Sequence, residues 1–127
     1  MKEREIIVVT DTEQLEELRS ALFTEPYRII KCESCSDLQG LMSGSTSCIV
    51  ILDLDEVCVD NRFLKKLKTG NAGLSVLAIS SKKFHPELRE SMSSYIHACL
   101  SKPVDPEELL FWLKSITLDN PQKERSP

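Results

Sequence analysis

No stretch of this sequence is apolar and long enough to cross a bilayer, because every hydrophobic run stops short of the roughly 18 residues a span requires. The first residues, Met1-Lys2-Glu3-Arg4-Glu5, run into a strand-like segment rather than a signal-peptide core. A cytoplasmic chain without membrane contact is expected. An excess of positive charge is also lacking: Lys plus Arg number 16 against 20 Asp plus Glu, a net charge of −4. No basic field is then available to neutralise nucleic-acid phosphates, and direct nucleic-acid binding is not expected. Paired cysteine spacing is missing too. Cys32, Cys35, Cys48, Cys58 and Cys99 are odd in number and irregular in position, which fits a reducing compartment better than a disulfide framework. Cys48 and Cys99 fall at strand starts or inside strands, where cysteine acts as a small hydrophobe. There is no internal repeat and no low-complexity segment. With 41% hydrophobic residues in 127, the chain can build one core and not two.

What is present is an alternation of short apolar runs with amphipathic segments. Ile6-Ile7-Val8-Val9-Thr10, Ile49-Val50-Ile51-Leu52, Val76-Leu77-Ala78-Ile79 and Ala98-Cys99-Leu100-Ser101 read as strands buried on both faces, the habit of a parallel sheet covered by helices. Tyr27 to Lys31 reads as a further strand, at an edge. Between them, Leu15, Leu18 and Leu22 recur at helical spacing, Leu38, Leu41 and Met42 mark a short helix broken at Gly44-Ser45, and Phe63, Leu64 and Leu67 define a third that stops near Gly70. Pro86 can open a fourth helix carrying Leu88 and Met92. Asp105 as cap, Pro106 at the first position and Glu108 in a capping box announce a fifth, with Leu109, Leu110, Leu113 and Ile116 as its inner face.

Five strands alternating with five helices imply right-handed crossovers and an α/β, doubly wound, five-stranded parallel sheet. The flavodoxin-like strand order 2-1-3-4-5 is expected. One domain over residues 1–117 and a polar tail over 118–127 follow from the pattern. In such sheets ligands sit beyond the carboxyl ends of the strands. There the runs end on Asp11, Asp53, Ser80 and Lys102, two carboxylates, a hydroxyl and an ammonium.

These residues resemble the response-regulator receiver family, the phosphoacceptor half of two-component signalling, from Ile6 to Ile116. Ile49 to Asn61 looks like the family's third strand and following loop, Val76 to Ser80 like its fourth strand, and Ser101-Lys102-Pro103-Val104 like the Lys-Pro after its fifth. The resemblance implies a signalling domain rather than an enzyme. It would accept a phosphoryl group on Asp53 from a sensor histidine kinase or phosphotransfer protein. Mg²⁺ would be held by Asp11, Asp53 and the backbone carbonyl of Asp55. Lys102 and Ser80 would stabilise the phosphoryl oxygens, since a carboxylate attacking phosphorus needs the transferring charge neutralised. It also makes Lys102-Pro103 a candidate cis bond, and it makes Ser80 and the position of Cys99 the switch.

The chain departs from the family pattern at several places. Thr10 stands where the family has the first of two adjacent acids, which should weaken Mg²⁺ binding unless Asp55 or Glu56 compensates through a water. Val57 stands for a proline, Cys99 for an aromatic that reorients on activation, and Asn61 for a glycine, a mild change if the backbone there is left-handed.

Taken singly, Asp11 is equally a helix cap with Gln14 three residues on, Ser80 a turn serine and Lys102 a solvated lysine. A carboxylate ending an apolar strand, like Asp53, is costly to bury unpaired. Lys65, Lys66, Lys68, Lys82 and Lys83 are read as solvated charge. One alternative function is a degenerate receiver acting as a phosphorylation-independent interaction module. Another is a haloacid-dehalogenase-type phosphatase, suggested by Asp53-Leu54-Asp55-Glu56-Val57 but opposed by the late position of the motif and the short chain after Lys102. Cys32-Glu33-Ser34-Cys35 has redox spacing but follows an edge strand, and His85 and His97 are not spaced to complete a zinc set.

Overall fold

The computed structural model describes residues 4–43, 49–57, 59–71, 73–83 and 85–119. Its elements are β1 (Arg4–Val9), α1 (Thr12–Ala21), β2 (Tyr27–Cys32), α2 (Cys35–Ser43), β3 (Ile49–Asp53), α3 (Asn61–Gly70), β4 (Ser75–Ser80), α4 (Arg89–Ser94), β5 (Ala98–Ser101) and α5 (Pro106–Asp119). All strand pairs are parallel, in the order β2-β1-β3-β4-β5. The flavodoxin-like topology expected from the alternation is the one formed, with β2 at an edge.

The period of two in a strand sorts its side chains onto two faces. Ile7, Val9, Val50, Leu52, Val76 and Ala78 face one core, shared with Leu38 of α2, Leu64 and Leu67 of α3 and Leu88 before α4. Their neighbours Ile6, Val8, Ile49, Ile51, Leu77 and Ile79 face the other, shared with Leu15 and Leu18 of α1, with Leu22 just after it, and with Leu109, Leu113 and Ile116 of α5. The central strands are covered on both sides, which explains why their sequences are continuous rather than alternating. Each fully buried Leu or Ile contributes about 1.5–3 kcal/mol, so the strand ends are anchored where the polar groups emerge.

Local details differ from the expected ones. The chain from Pro86 forms one tight 3₁₀ turn through Leu88 before α4, which is only six residues long. At α5, Asp105 Oδ1 accepts from the Glu107 N–H at 2.9 Å instead of closing a capping box with Glu108. Asn61 needs no left-handed backbone: it opens α3, and no described residue, glycine included, has positive φ. Cys99 is exposed and so is not the small core hydrophobe expected; Cys48, like the helix-breaking Gly44 and Ser45, lies outside the described residues. Lys68 is only half-exposed. Its Nζ donates to the Leu74 carbonyl, and burial lowers its pKa, so it is not solvated charge. Cys32 is a buried thiol donating to the Ser34 carbonyl at 3.1 Å, and desolvation pushes its pKa up. That is the reverse of what a redox thiol needs.

Candidate functional site

Register brings the first two site residues together. Val9 of β1 pairs with Leu52 of β3, so the next residues, Thr10 and Asp53, emerge side by side at the same sheet edge. Asp53 is fully buried, and Thr10 is nearly so. The Thr10 hydroxyl donates to Asp53 Oδ2 at 2.5 Å. From the far side of the sheet, Lys102 Nζ reaches the same oxygen at 2.8 Å. Lys102 is held there because its backbone N–H donates to the Ser80 carbonyl at 3.0 Å, continuing the β4–β5 ladder by one step. The Lys102–Pro103 peptide is cis. A buried carboxylate is tolerable only when paired and hydrogen-bonded, and here it has an ammonium and a hydroxyl on one oxygen.

The turn after β3 supplies the rest. The N–H groups of Glu56 and Val57 both donate to the Asp53 carbonyl at 3.0 Å, folding the chain back so that the Asp55 N–H donates to Asp53 Oδ1 at 3.0 Å. The Asp55 side chain turns toward β4 and β5. Its Oδ2 accepts from the Ser81 N–H at 3.0 Å and lies 3.1 Å from Lys102 Nζ; its Oδ1 lies 3.4 Å from the Ser80 hydroxyl. The buried Ser80 oxygen itself accepts from the Lys82 N–H at 3.0 Å. Burial opposes the charge on Asp55, but the Lys102 and Ser81 hydrogen bonds outweigh it and lower its pKa. Burial likewise opposes the charge on Lys102, and its bonds to Asp53 and Asp55 reverse the balance and raise its pKa.

Asp53, Asp55, Ser80 and Lys102 therefore converge within hydrogen-bonding reach. Asp11 makes none of these contacts. It is exposed, and its Oδ1 accepts from the Gln14 N–H at 2.8 Å as the N-cap of α1. Among the described residues, no group of three or more His, Cys, Asp or Glu side chains is arranged to hold a metal ion. The oxygen-only chemistry of Asp11, Asp53 and Asp55 suits a hard divalent cation, and two carboxylates on one ammonium leave the cluster negative. With Thr10 in place of an acid and two donors already on Asp53 Oδ2, the set fits a weak site rather than a tight one.

Cys99 lies on β5 beside a cavity of ≈ 460 Å³ that is also lined by Lys83, His85, Pro86, Arg89 and Met92. Desolvation, and after it the negative charge of Asp55, pushes its thiol pKa up. Two contributors escaped the sequence reading. Thr10 was legible only as a missing acid, although its register with Asp53 could have marked it as a donor. Asn61, read for its backbone, acts through its side chain: its Oδ1 accepts from the Ser91 N–H at 2.9 Å and the Ser91 hydroxyl at 2.5 Å, while its Nδ2 donates to the Glu87 carbonyl at 3.2 Å. It ties the start of α3 to α4.

A buried acid at the end of the third strand, an ammonium after the fifth and a hydroxyl ending the fourth are thus gathered at the carboxyl ends of a doubly wound five-stranded parallel sheet. Solved structures agree on the fold. The chain superimposes on the signal receiver domain of an HD domain-containing protein from Pseudomonas fluorescens Pf-5 with a TM-score of 0.83 and 18% identity, covering 98% of this chain and 95% of that one. A CheY-like response regulator receiver domain protein from Methanospirillum hungatei JF-1 gives 0.78 and 21%, covering 98% and 100%. A CheY-like receiver domain from Methylobacillus flagellatus gives 0.74 and 21%, covering 91% and 99%. No protein-family model and no curated protein matches the sequence. The chain has the fold of response-regulator receiver domains. No helix among the described residues is long and apolar enough to cross a membrane.

Proposed function

We propose that this domain receives a phosphoryl group on Asp53 from a sensor histidine kinase or phosphotransfer protein and relays the change through protein contacts in the cytoplasm. The observation that carries the reading is the buried Asp53 carboxylate with Lys102 Nζ at 2.8 Å, an arrangement that stabilises an acid where a charged phosphoryl group would be attached. Oδ2 already accepts from two donors and Oδ1 from one, so Oδ1 has the freer lone pair for attack. An Asp53 oxygen would bond to phosphorus as the phosphorus–nitrogen bond of a phosphohistidine breaks, its electron pair passing to the imidazole. Lys102 would offset charge on the equatorial oxygens, and the Ser80 hydroxyl would turn toward one of them. Mg²⁺, when bound through Asp11, Asp53 and the Asp55 backbone carbonyl, would supply further charge neutralisation.

Mass spectrometry after incubation with acetyl phosphate and Mg²⁺ tests this directly. One phosphoryl group per chain is expected on the native protein and none on Asp53→Asn. Labelling of the variant would remove Asp53 from the role. The second reading, an interaction module that does not take phosphate, is favoured by Thr10 standing where an acid would strengthen the metal site. Beryllofluoride, which mimics the acyl phosphate only with a metal and an intact acceptor, separates the two: amide shifts at Asp53, Ser80 and Lys102 favour the acceptor, and their absence favours the module.

A further inference from the structure

The Ser80 hydroxyl, the Ser81 N–H and the Lys102 ammonium lie at the ends of β4 and β5 and point at one anion. The anion they hold is the side chain of Asp55, at 3.4, 3.0 and 3.1 Å respectively. The turn that carries Asp55 does not depend on this contact, since it is closed by the Glu56 and Val57 N–H groups on the Asp53 carbonyl. A loop carboxylate free to remain in water instead reaches across to two other strands, drawn by a charge-assisted hydrogen bond and by backbone and hydroxyl donors. Lys102 Nζ is shared between Asp53 Oδ2 at 2.8 Å and Asp55 Oδ2 at 3.1 Å, so the two carboxylates sit side by side on one cation.

We infer that Asp55 is the resident occupant of an anion-binding cradle made by Ser80, Ser81 and Lys102, and that it competes for this cradle with any phosphoryl group attached to Asp53. The inference rests on the acceptor role proposed for Asp53. An acyl phosphate there brings oxygens drawn to the same ammonium and to the single proton of the Ser80 hydroxyl, and Asp55 must give up that hydroxyl before it is offered. Two consequences follow. The loop after β4 is already drawn toward the site without phosphate, because Ser81 is held by its N–H. Asp55 is also a brake on phosphorylation and not a block, since its contacts are partly exposed and each is weak in water.

The test compares the native protein with Asp55→Ala and Asp55→Asn, both of which keep the backbone carbonyl and the Asp53 acceptor. Folding of each is verified by its amide spectrum. Labelling by acetyl phosphate with Mg²⁺ is expected to run about fivefold faster in at least one folded variant, the size expected for losing weak exposed contacts. Equal or slower labelling of both variants, with the native protein labelled, overturns the inference. If no form labels, the acceptor reading has failed separately, and inorganic phosphate titrated against the Ser81 amide decides. A saturable shift in the variants that is missing in the native protein upholds the cradle. The same shift in all three, or none in any, overturns it.

Discussion

The Thr10 hydroxyl stands 2.5 Å from Asp53 Oδ2, so the residue that replaces an expected acid serves the buried Asp53 carboxylate as a neutral donor. A second acid here would strengthen a metal site and repel Asp53. A threonine instead stabilises the Asp53 charge without adding one. Thr10→Val keeps the shape and removes the donor, and it should cost about 1.5–3 kcal/mol, the range for a hydrogen bond to a charged group. Urea unfolding at neutral pH measures it, and an unchanged midpoint would mean that the contact is not formed in solution.

Lys102 and Asp55 carry opposite predictions for pH. Its folded pKa is raised, so its contribution is fully present below its unfolded value near 10.5 and is lost as pH rises through the higher folded value. Asp55 has a lowered folded pKa, so its contribution is present above its unfolded value near 3.8 and is lost as pH falls through the lower folded value. Lys102→Met removes the shared cation. At neutral pH it should destabilise by about 3 kcal/mol, because buried Asp53 loses its counter-charge. Stability curves of the native protein and the variant should then converge toward both the alkaline and the acid extremes. Parallel curves would show that Lys102 does not titrate with the cluster.

Asn61 makes three hydrogen bonds to the segment containing α4, two of them to Ser91 and one to the Glu87 carbonyl. Ser91 is fully buried, so truncating Asn61 leaves its N–H and hydroxyl without that partner. Asn61→Ala should destabilise by about 1–3 kcal/mol and speed amide exchange from Glu90 to Ser94 more than in α5. Uniform exchange changes across the domain would argue against a local tie between α3 and α4.

The strand order was readable because apolar runs buried on both faces leave few arrangements, and the ends of those runs marked Asp53, Ser80 and Lys102 by position alone. The Asp55 side chain was not readable in this way. The sequence reading used its backbone carbonyl and a water-bridged metal contact, whereas its side-chain partners on β4 and β5 depend on how tightly the turn after β3 folds back. Asp11 satisfied two readings at once, cap and metal ligand, and composition could not choose between them; its bond to the Gln14 N–H shows the cap being made. Cys99 misled because a short strand at the sheet edge exposes alternate residues, so an apolar run of four was not evidence of burial on both faces.

Cys99 and Cys32 should separate cleanly in alkylation. Both thiols have raised pKa values with desolvation as the leading cause, which lowers the thiolate fraction of each at neutral pH. Cys32 is buried as well, with its thiol donating to the Ser34 carbonyl, whereas Cys99 is open to reagent. Iodoacetamide should therefore modify Cys99 faster than Cys32 by about tenfold or more, as read by peptide mass spectrometry. The Asp55 charge adds to the elevation at Cys99 and is absent from the causes at Cys32. Asp55→Asn should then move the pH–rate curve of Cys99 to lower pH and leave that of Cys32 in place. If both curves move together, the change is a general loosening of the fold; if neither moves, Asp55 does not reach Cys99 electrostatically.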